Sequence, residues 1–461
     1  MLTGIGLLIG LLIGIAAMIY LIAKLKVHAF IAIMLVSIIL ALLSIPIGDV
    51  ANTIRDGFGG TLRYIGLVII LGALIGIIVE KTGAALTIAD SVVKLVGKKR
   101  PELAMLIMGW IVSIPVFCDS GFIILDPIRK SIGKVTKKSS VSLAIALSLG
   151  LYAAHVFVPP TPGPIAAAAS VGLADNLLLV MGVGALVSVF ALVPSYFFAL
   201  YIGKKVVLEE EADDLDANPN AAQEAYDALK ASYGKLPSAW LSFAPIVVPI
   251  IFLAMGTVAR VLDWGSLPFW QFVGDPIIAL SIGLIFGVML LHVTNRMGEF
   301  SNITNENLKI VGPILFITAA GGVLGRVIAD AGVVAYVTDN ADALKVLGIL
   351  FPFMIATILK IAQGSSTVAI VTTAALMGLY SDAGSVMTAL GFTTPIAAAL
   401  VVMAIGAGAM TVSHANDSYF WVVTNMTGMT PEQGYKTQTL GTLVAGVSSI
   451  IGILLLSLFL I

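Results

Sequence analysis

Four short polar runs interrupt long apolar stretches, and their residue types are those of a ligand site. The first is Cys118-Asp119-Ser120-Gly121, which follows Ser113 and Pro115. The second opens at His155 and continues through Pro159, Pro160, Thr161, Pro162, Gly163 and Pro164. The third is Gln363-Gly364-Ser365-Ser366-Thr367, and the fourth is Thr411-Val412-Ser413-His414-Ala415-Asn416-Asp417-Ser418. Hydroxyls, amides and bare helix N-termini bind carboxylate and hydroxyl groups. Serine, threonine, asparagine and glutamine therefore suit a polyhydroxylated acid. The carboxylates of Asp119 and Asp417 and the imidazoles of His155 and His414 are candidates to carry a coupled proton. The runs hold no arginine or lysine, so dipoles and amides, not a cation, are expected to hold the anionic group. The candidate binding set is Asp119, Ser120, Gly121, His155, Thr161, Gly163, Gln363, Gly364, Ser365, Ser366, Thr367, Ser413, His414, Asn416, Asp417 and Ser418. No metal or cofactor is expected. A plainer role competes at each position: Ser, Thr and Gly also pack membrane helices together, and a lone histidine also serves as a hydrogen-bonded strut.

These groups need elements that hold them inside a membrane. The chain has 461 residues, of which 59% are apolar and 11% charged. A soluble chain carries about a quarter charged residues, so this is a polytopic membrane protein. No basic domain is present to bind nucleic acid. The single cysteine, Cys118, excludes an internal disulfide. No His-Glu-x-x-His motif and no Gly-x-x-x-x-Gly-Lys-Ser/Thr loop occurs, which argues against an intramembrane metalloenzyme and a nucleotide hydrolase. A chain of this kind is not expected to be an enzyme.

A bilayer crossing takes about 17–25 apolar residues. Continuous candidates are 2–23, 29–47, 60–80, 177–202, 239–259, 276–293, 310–329 and 438–461; interrupted ones are 141–173 and 394–428. The first run lacks a charged leader and reads as a retained span, not a signal peptide. Positive charge marks the cytoplasmic side. Lys24 and Lys26 place the N-terminus outside. The stretch 101–128 lies between Lys94, Lys98, Lys99 and Arg100 on one flank and Arg129, Lys130, Lys134, Lys137 and Lys138 on the other. A hairpin that enters and leaves on the cytoplasmic face satisfies both flanks. The stretch 348–378 has acidic flanks, with Asp330, Asp339, Asp342 and Asp382, and reads as a hairpin from outside.

Order of motifs joins the halves. Gly72, Gly76 and Gly83 match Gly321, Gly325 and Gly332 in spacing. In each half a broken hairpin and an interrupted span with a central histidine follow. The same order with opposite charge bias is the mark of an inverted repeat. The expected fold is all-α: ten crossings, two hairpins, both termini outside. The first half is 1–203, with hairpin 101–128 and broken helix 141–173. An acidic cytoplasmic linker occupies 204–238. The second half is 239–461, with hairpin 348–378 and broken helix 394–428.

The stretch Pro115-Val116-Phe117-Cys118-Asp119-Ser120-Gly121-Phe122 and the run from His155 to Pro164 resemble the signatures of the gluconate permease (gluconate:proton symporter) family, within the ion-transporter superfamily. Gly59-Gly60-Thr61-Leu62 and Ser413-His414-Ala415-Asn416-Asp417-Ser418 are similar as well. The resemblance spans nearly the whole chain. It implies a bacterial inner-membrane carrier for sugar acids or small hydroxy acids, driven by protons. It also implies a scaffold, usually dimeric, beside a mobile transport domain that contains the hairpins and works as an elevator. D-serine or D-glycerate as substrate, sodium coupling through unwound carbonyls near Ser365 and Asn416, and a channel are the competing readings. Paired breaks at one depth favour alternating access over a channel's continuous pore.

Overall fold

The computed structural model describes residues 2, 4–96, 100–208, 227–228, 230–261, 268–331, 348–415 and 417–460. Most of the acidic linker, Asp339, Asp342, Gly332 and Asn416 lie outside the described residues, as does the side chain of Gln363. Every regular element among the described residues is helical.

The first half comprises α1 (Gly4–Ala23), α2 (Ala29–Ser44), α3 (Ile47–Lys81), α4 (Ala84–Val96), α5 (Pro101–Val112), α6 (Cys118–Thr136), α7 (Ser140–Phe157), α8 (Pro162–Ser170) and α9 (Leu177–Ile202). The second comprises α10 (Ala239–Val261), α11 (Pro276–Val293), α12 (Phe300–Asp330), α13 (Leu350–Gln363), α14 (Ser366–Met377), α15 (Pro395–Met410), α16 (Ser418–Thr427) and α17 (Leu440–Leu460). Among the described residues, seven helical stretches are long and apolar enough to cross a membrane. The count stays below ten on this measure partly because α2 has only 16 residues and the span 394–428 is divided between α15 and α16.

All four polar runs break their helices. The chain leaves α5 at Val112 and resumes helix at Cys118; it leaves α13 at Gln363 and resumes at Ser366. Gly364 makes the second bend at φ 89°, a left-handed conformation that glycine adopts without a steric penalty. The prolines at 159 and 160 stop α7, since proline lacks the amide donor and crowds the preceding turn. Pro162 then starts α8, where its missing N–H is no loss. The second arm of the first hairpin runs to Thr136, eight residues past its expected end, carrying Pro127 inside it. Arg129 anchors that extension. It is 1% exposed, donates from Nε to Asp126 Oδ1 at 2.7 Å, and from Nη1 to Ser140 O at 3.1 Å. Arg129 is thus a paired interior group, and the positive flank that suggested a cytoplasmic side rests on the lysines.

Two helices differ in length from the apolar spans 60–80 and 310–329. α3 starts at Ile47 and α12 at Phe300 because their polar first halves stay helical, each packed against the second half of the other helix. The helices run antiparallel, with Thr53 Oγ1 donating to Asp330 Oδ2 at 2.8 Å and Asn307 Nδ2 to Ile70 O at 3.1 Å. Their backbones approach closely: a Cβ added at Gly322 would stand 2.6 Å from Gly57 O. Gly59 and Gly60, inside α3, have nothing within 4 Å of such an atom.

The centre of the bundle is α7 and α15, the first arms of the two broken helices. Residues 141–157 of α7 and 397–410 of α15 are all buried. A helix apolar and buried all round belongs to the middle of a large helical core. α3 supports both breaks of the first half, with Gly76 beneath Pro115 and Gly72 beneath Pro160.

A Cβ at Gly76 would lie 1.9 Å from Pro115 O, inside contact distance to backbone. Gly76→Ala is therefore expected to destabilise by about 1–3 kcal/mol through displacement of the bend. Gly59→Ala meets open space and is expected to stabilise slightly, by about 0.5–1 kcal/mol. Thermal unfolding of the two variants in detergent checks the contrast; equal shifts would remove Gly76 from its supporting role.

Candidate functional site

Each break frees backbone carbonyls that lipid cannot satisfy, and each carries its own donor. Ser113 Oγ donates to Val116 O at 2.9 Å at the first hairpin. Thr161 Oγ1 lies 3.0 Å from His155 O and 2.8 Å from Val158 O, closing the first broken helix. Lys360 Nζ donates to Gly364 O at the second hairpin. In the second broken helix, Thr439 Oγ1 donates to Ser413 O at 2.6 Å, and Ser413 N donates to Thr442 Oγ1 at 2.9 Å. These bonds hold Val412, a β-branched residue, at a left-handed φ of 59°, a conformation that costs about 1–3 kcal/mol.

With the carbonyls answered, the other polar ends face a shared cavity of about 260 Å³. Phe117, Cys118 and Asp119 line it from the first hairpin, and Tyr152 and His155 from α7. Gly364, Ser365, Ser366 and Thr367 line it from the second hairpin, and Asp417, Ser418 and Tyr419 from the second broken helix. Three helices begin at this wall: α6 at Cys118, α14 at Ser366 and α16 at Ser418. Their N-termini bring partial positive charge and unfilled N–H groups to one place, which favours a bound anion. The volume falls just under the range of about 300–1,000 Å³ typical of drug-sized ligands, which suits a small acid.

The polar contacts divide the candidates. Asp119 accepts from Ser418 Oγ at 3.2 Å and from the Cys118 thiol at 3.7 Å, so the two halves meet at its carboxylate. His155 is 5% exposed, and its Nδ1 has no hydrogen-bond partner. Its ring lies 6.0 Å from Phe117 and 6.4 Å from Tyr152 between centroids. Asp417 caps α16, its Oδ1 accepting from Tyr419 N at 3.1 Å. Its Oδ2 accepts from Ser413 and, at 2.6 Å, from Lys360 Nζ. Ser365 caps α14 through Val368 N at 3.3 Å.

Eight residues of the expected set meet at the cavity: Asp119, His155, Gly364, Ser365, Ser366, Thr367, Asp417 and Ser418. Others lie beside it in supporting places. Thr161 spends its hydroxyl on its own turn, and Ser413 holds Asp417. Ser120 hydrogen-bonds Glu80 of α3, while Gly121 admits Leu151 and Gly163 admits Ile370. His414 Nε2 pairs with Ile361 O at 3.1 Å, away from the cavity lining.

Sequence reasoning missed Lys360, Tyr152 and Tyr419. The breaks are free of cations in sequence, yet Lys360 stands one helical turn ahead of Gly364, wholly buried, and reaches into the network. A buried cation therefore stands beside the cavity, bonded to Asp417 and Gly364 O and outside the lining itself. A lysine within the apolar run 350–363 was the available signal, since a charge at that depth needs a partner. Tyr152 and Tyr419 carried none, because their rings read as core.

A family model described as GntP family permease matches residues 6–459. The chain is 33% identical to the inner membrane permease YgbN of Escherichia coli, over 94% of this chain and 95% of that one. It is 31% identical to a gluconate permease of Bacillus subtilis, over 97% and 98% of the two chains. Among solved structures, the YdaH transporter of Alcanivorax borkumensis superposes with a TM-score of 0.61 at 14% identity, over 93% and 96%. That likeness concerns the fold: a long helical membrane chain with a comparable arrangement. With the family model covering nearly every residue, the chain is a member of the GntP permease family.

Proposed function

We propose that this permease carries gluconate or a related sugar acid or small hydroxy acid, with protons, across the bacterial inner membrane. The observation that supports it best is the cavity itself. Three helix N-termini, six hydroxyl-bearing side chains and two proton-accepting groups, Asp119 and His155, face one small space. N-termini and hydroxyls suit a carboxylate with a hydroxylated tail. The gluconate permease of Bacillus subtilis, similar over nearly its whole length, points to the same class.

Among the four proton candidates, Asp119 and His155 fit the coupling role. Asp119 has only neutral partners among the described residues, and His155 keeps an unfilled ring nitrogen. Asp417 is held by Lys360, and His414 by a carbonyl outside the lining. Movement is assigned to the broken elements, α5–α8 and α13–α16, as a transport domain sliding against α3, α12 and their neighbours. The antiparallel pairing of α3 with α12 supports an inverted repeat; the proposal also takes both termini to lie outside and the scaffold to be a homodimer.

Uptake of labelled gluconate into vesicles tests the substrate and the driving ion. Accumulation is expected under an imposed proton gradient and not under a sodium gradient; accumulation with sodium alone would replace the coupling ion. Saturable uptake displaced by D-serine or D-glycerate, but not by gluconate, would replace the substrate. A current with no saturation would favour a channel.

Asp119→Asn is expected to lose proton-driven accumulation while weakening substrate exchange less. Thr367→Val removes a hydroxyl from the cavity wall and is expected to weaken apparent affinity by about 5- to 150-fold. Thr161→Val, whose hydroxyl closes its own turn, is expected to leave that affinity alone. An effect at Thr161 larger than at Thr367 would place the substrate elsewhere.

Single cysteines at Lys134 and Ser381, in a Cys118→Ser background, are expected to label from the cytoplasm and from outside respectively. Labelling of both from one face would overturn the two opposed hairpins.

A further inference from the structure

We propose that the Lys360–Asp417 pair sets the charge of the cavity, so that one substrate anion enters only together with one proton. The proposal rests on the proton-coupled anion carrier argued above and names what fixes its ratio.

The argument starts from the ammonium. Lys360 is fully buried, and its Nζ has three protons to donate. Asp417 Oδ2 and Gly364 O accept from it, and the Tyr152 ring lies 5.7 Å away on centroid. The ammonium thus uses two of its three protons in hydrogen bonds within the protein. Its positive charge is matched by Asp417 at 2.6 Å, and the two together are neutral.

The other ionisable groups around the pair are few. Cys118, Asp119, Tyr152 and His155 face it across the cavity, with Tyr419 beside Asp417. His414 sits on the break, bonded to Ile361 O. Helices α14 and α15, packed on α13, contain no ionisable residue, and α1 contributes only Tyr20, which is exposed. Glu80 lies outside the lining, against Ser120, with Lys81 and Glu306 near it.

With the pair neutral, the empty cavity carries the single negative charge of Asp119. A carboxylate alone would double that charge within a space of about 260 Å³ walled mostly by protein, which is costly. A proton entering with the carboxylate restores the original total. It rests on Asp119 or on His155 Nδ1, and either site gives the same sum. Anion and proton leave together on the other side, and the carrier returns empty with its charge unchanged.

Removing one member of the pair must then change the ratio, and removing both must restore it. Asp417→Asn keeps a capping side chain for α16 but leaves the Lys360 charge unmatched. The empty cavity becomes neutral, and the anion balances Lys360 without a proton.

Calorimetry of gluconate binding to the purified permease, in buffers of different ionisation enthalpy, counts the protons taken up. The expected count is about one in the wild type and about zero in Asp417→Asn, with pH dependence of affinity falling from about tenfold per unit to flat. Adding Lys360→Met to Asp417→Asn is expected to bring the count back to about one. A purely structural role predicts no such recovery from a second loss. Asp417→Ser, which also keeps a cap oxygen, is read in parallel in case the asparagine variant does not fold.

A count near that of the wild type in both Asp417 variants overturns the proposal, as does loss of gluconate binding in both. A double variant that stays near zero overturns it as well. A wild type that binds gluconate without any proton overturns the proton-coupled reading along with it.

Discussion

A helix interrupted inside a bilayer exposes amides and carbonyls to a medium that cannot hydrogen-bond them. The rest of this structure depends on how that constraint is met. At each of the four breaks a side chain answers freed carbonyls: Ser113, Thr161 and Lys360 from nearby in the chain, and Thr439 from a later element. The donors take up carbonyls, leaving the N-terminal ends of α6, α14 and α16 to face the cavity.

The division of labour inside that interior follows from charge. Asp417 lies between a lysine, a serine and the first amides of α16, so it acts as a fixed post. Asp119 sits between a thiol and a hydroxyl, partners that hold a carboxylate in place without compensating its charge. Two aspartates that look alike in sequence therefore occupy different electrostatic surroundings. Buried tyrosines complete the wall: Tyr419 donates to Ser148 O at 3.0 Å, and its ring centroid lies 5.2 Å from that of Tyr152.

Much of this was legible in the sequence, and the rest failed for physical reasons. Proline and glycine act locally, so the breaks at Pro115, Pro159 and Gly364 could be placed to within a few residues. The choice between ligand and scaffold is tertiary. Thr161 and Thr367 are both threonines at a break, yet one faces its own turn and the other the cavity. Lys360 was hidden because its partner is 57 residues away, beyond any local pattern. The early starts of α3 and α12 were missed since apolar length measures contact with lipid, while each polar half is held by the second half of the other helix.

The shortness of the hairpin arms has a consequence for how the molecule is made. α5 and α14 have 12 residues each, and α13 has 14. A segment of that length reaches only about 18–21 Å as helix, against a hydrocarbon layer of about 30 Å. None of them can be threaded across the membrane on its own during synthesis. They need a protein wall to lean on, and α7 and α15 are that wall, buried on every side. Yet α7 follows the first hairpin in the chain, and α15 follows the second. Each pair of short helices is thus synthesised before the helix that shelters it. With the hairpins re-entrant as proposed, full spans are expected to insert first and the short arms to be tucked in afterwards.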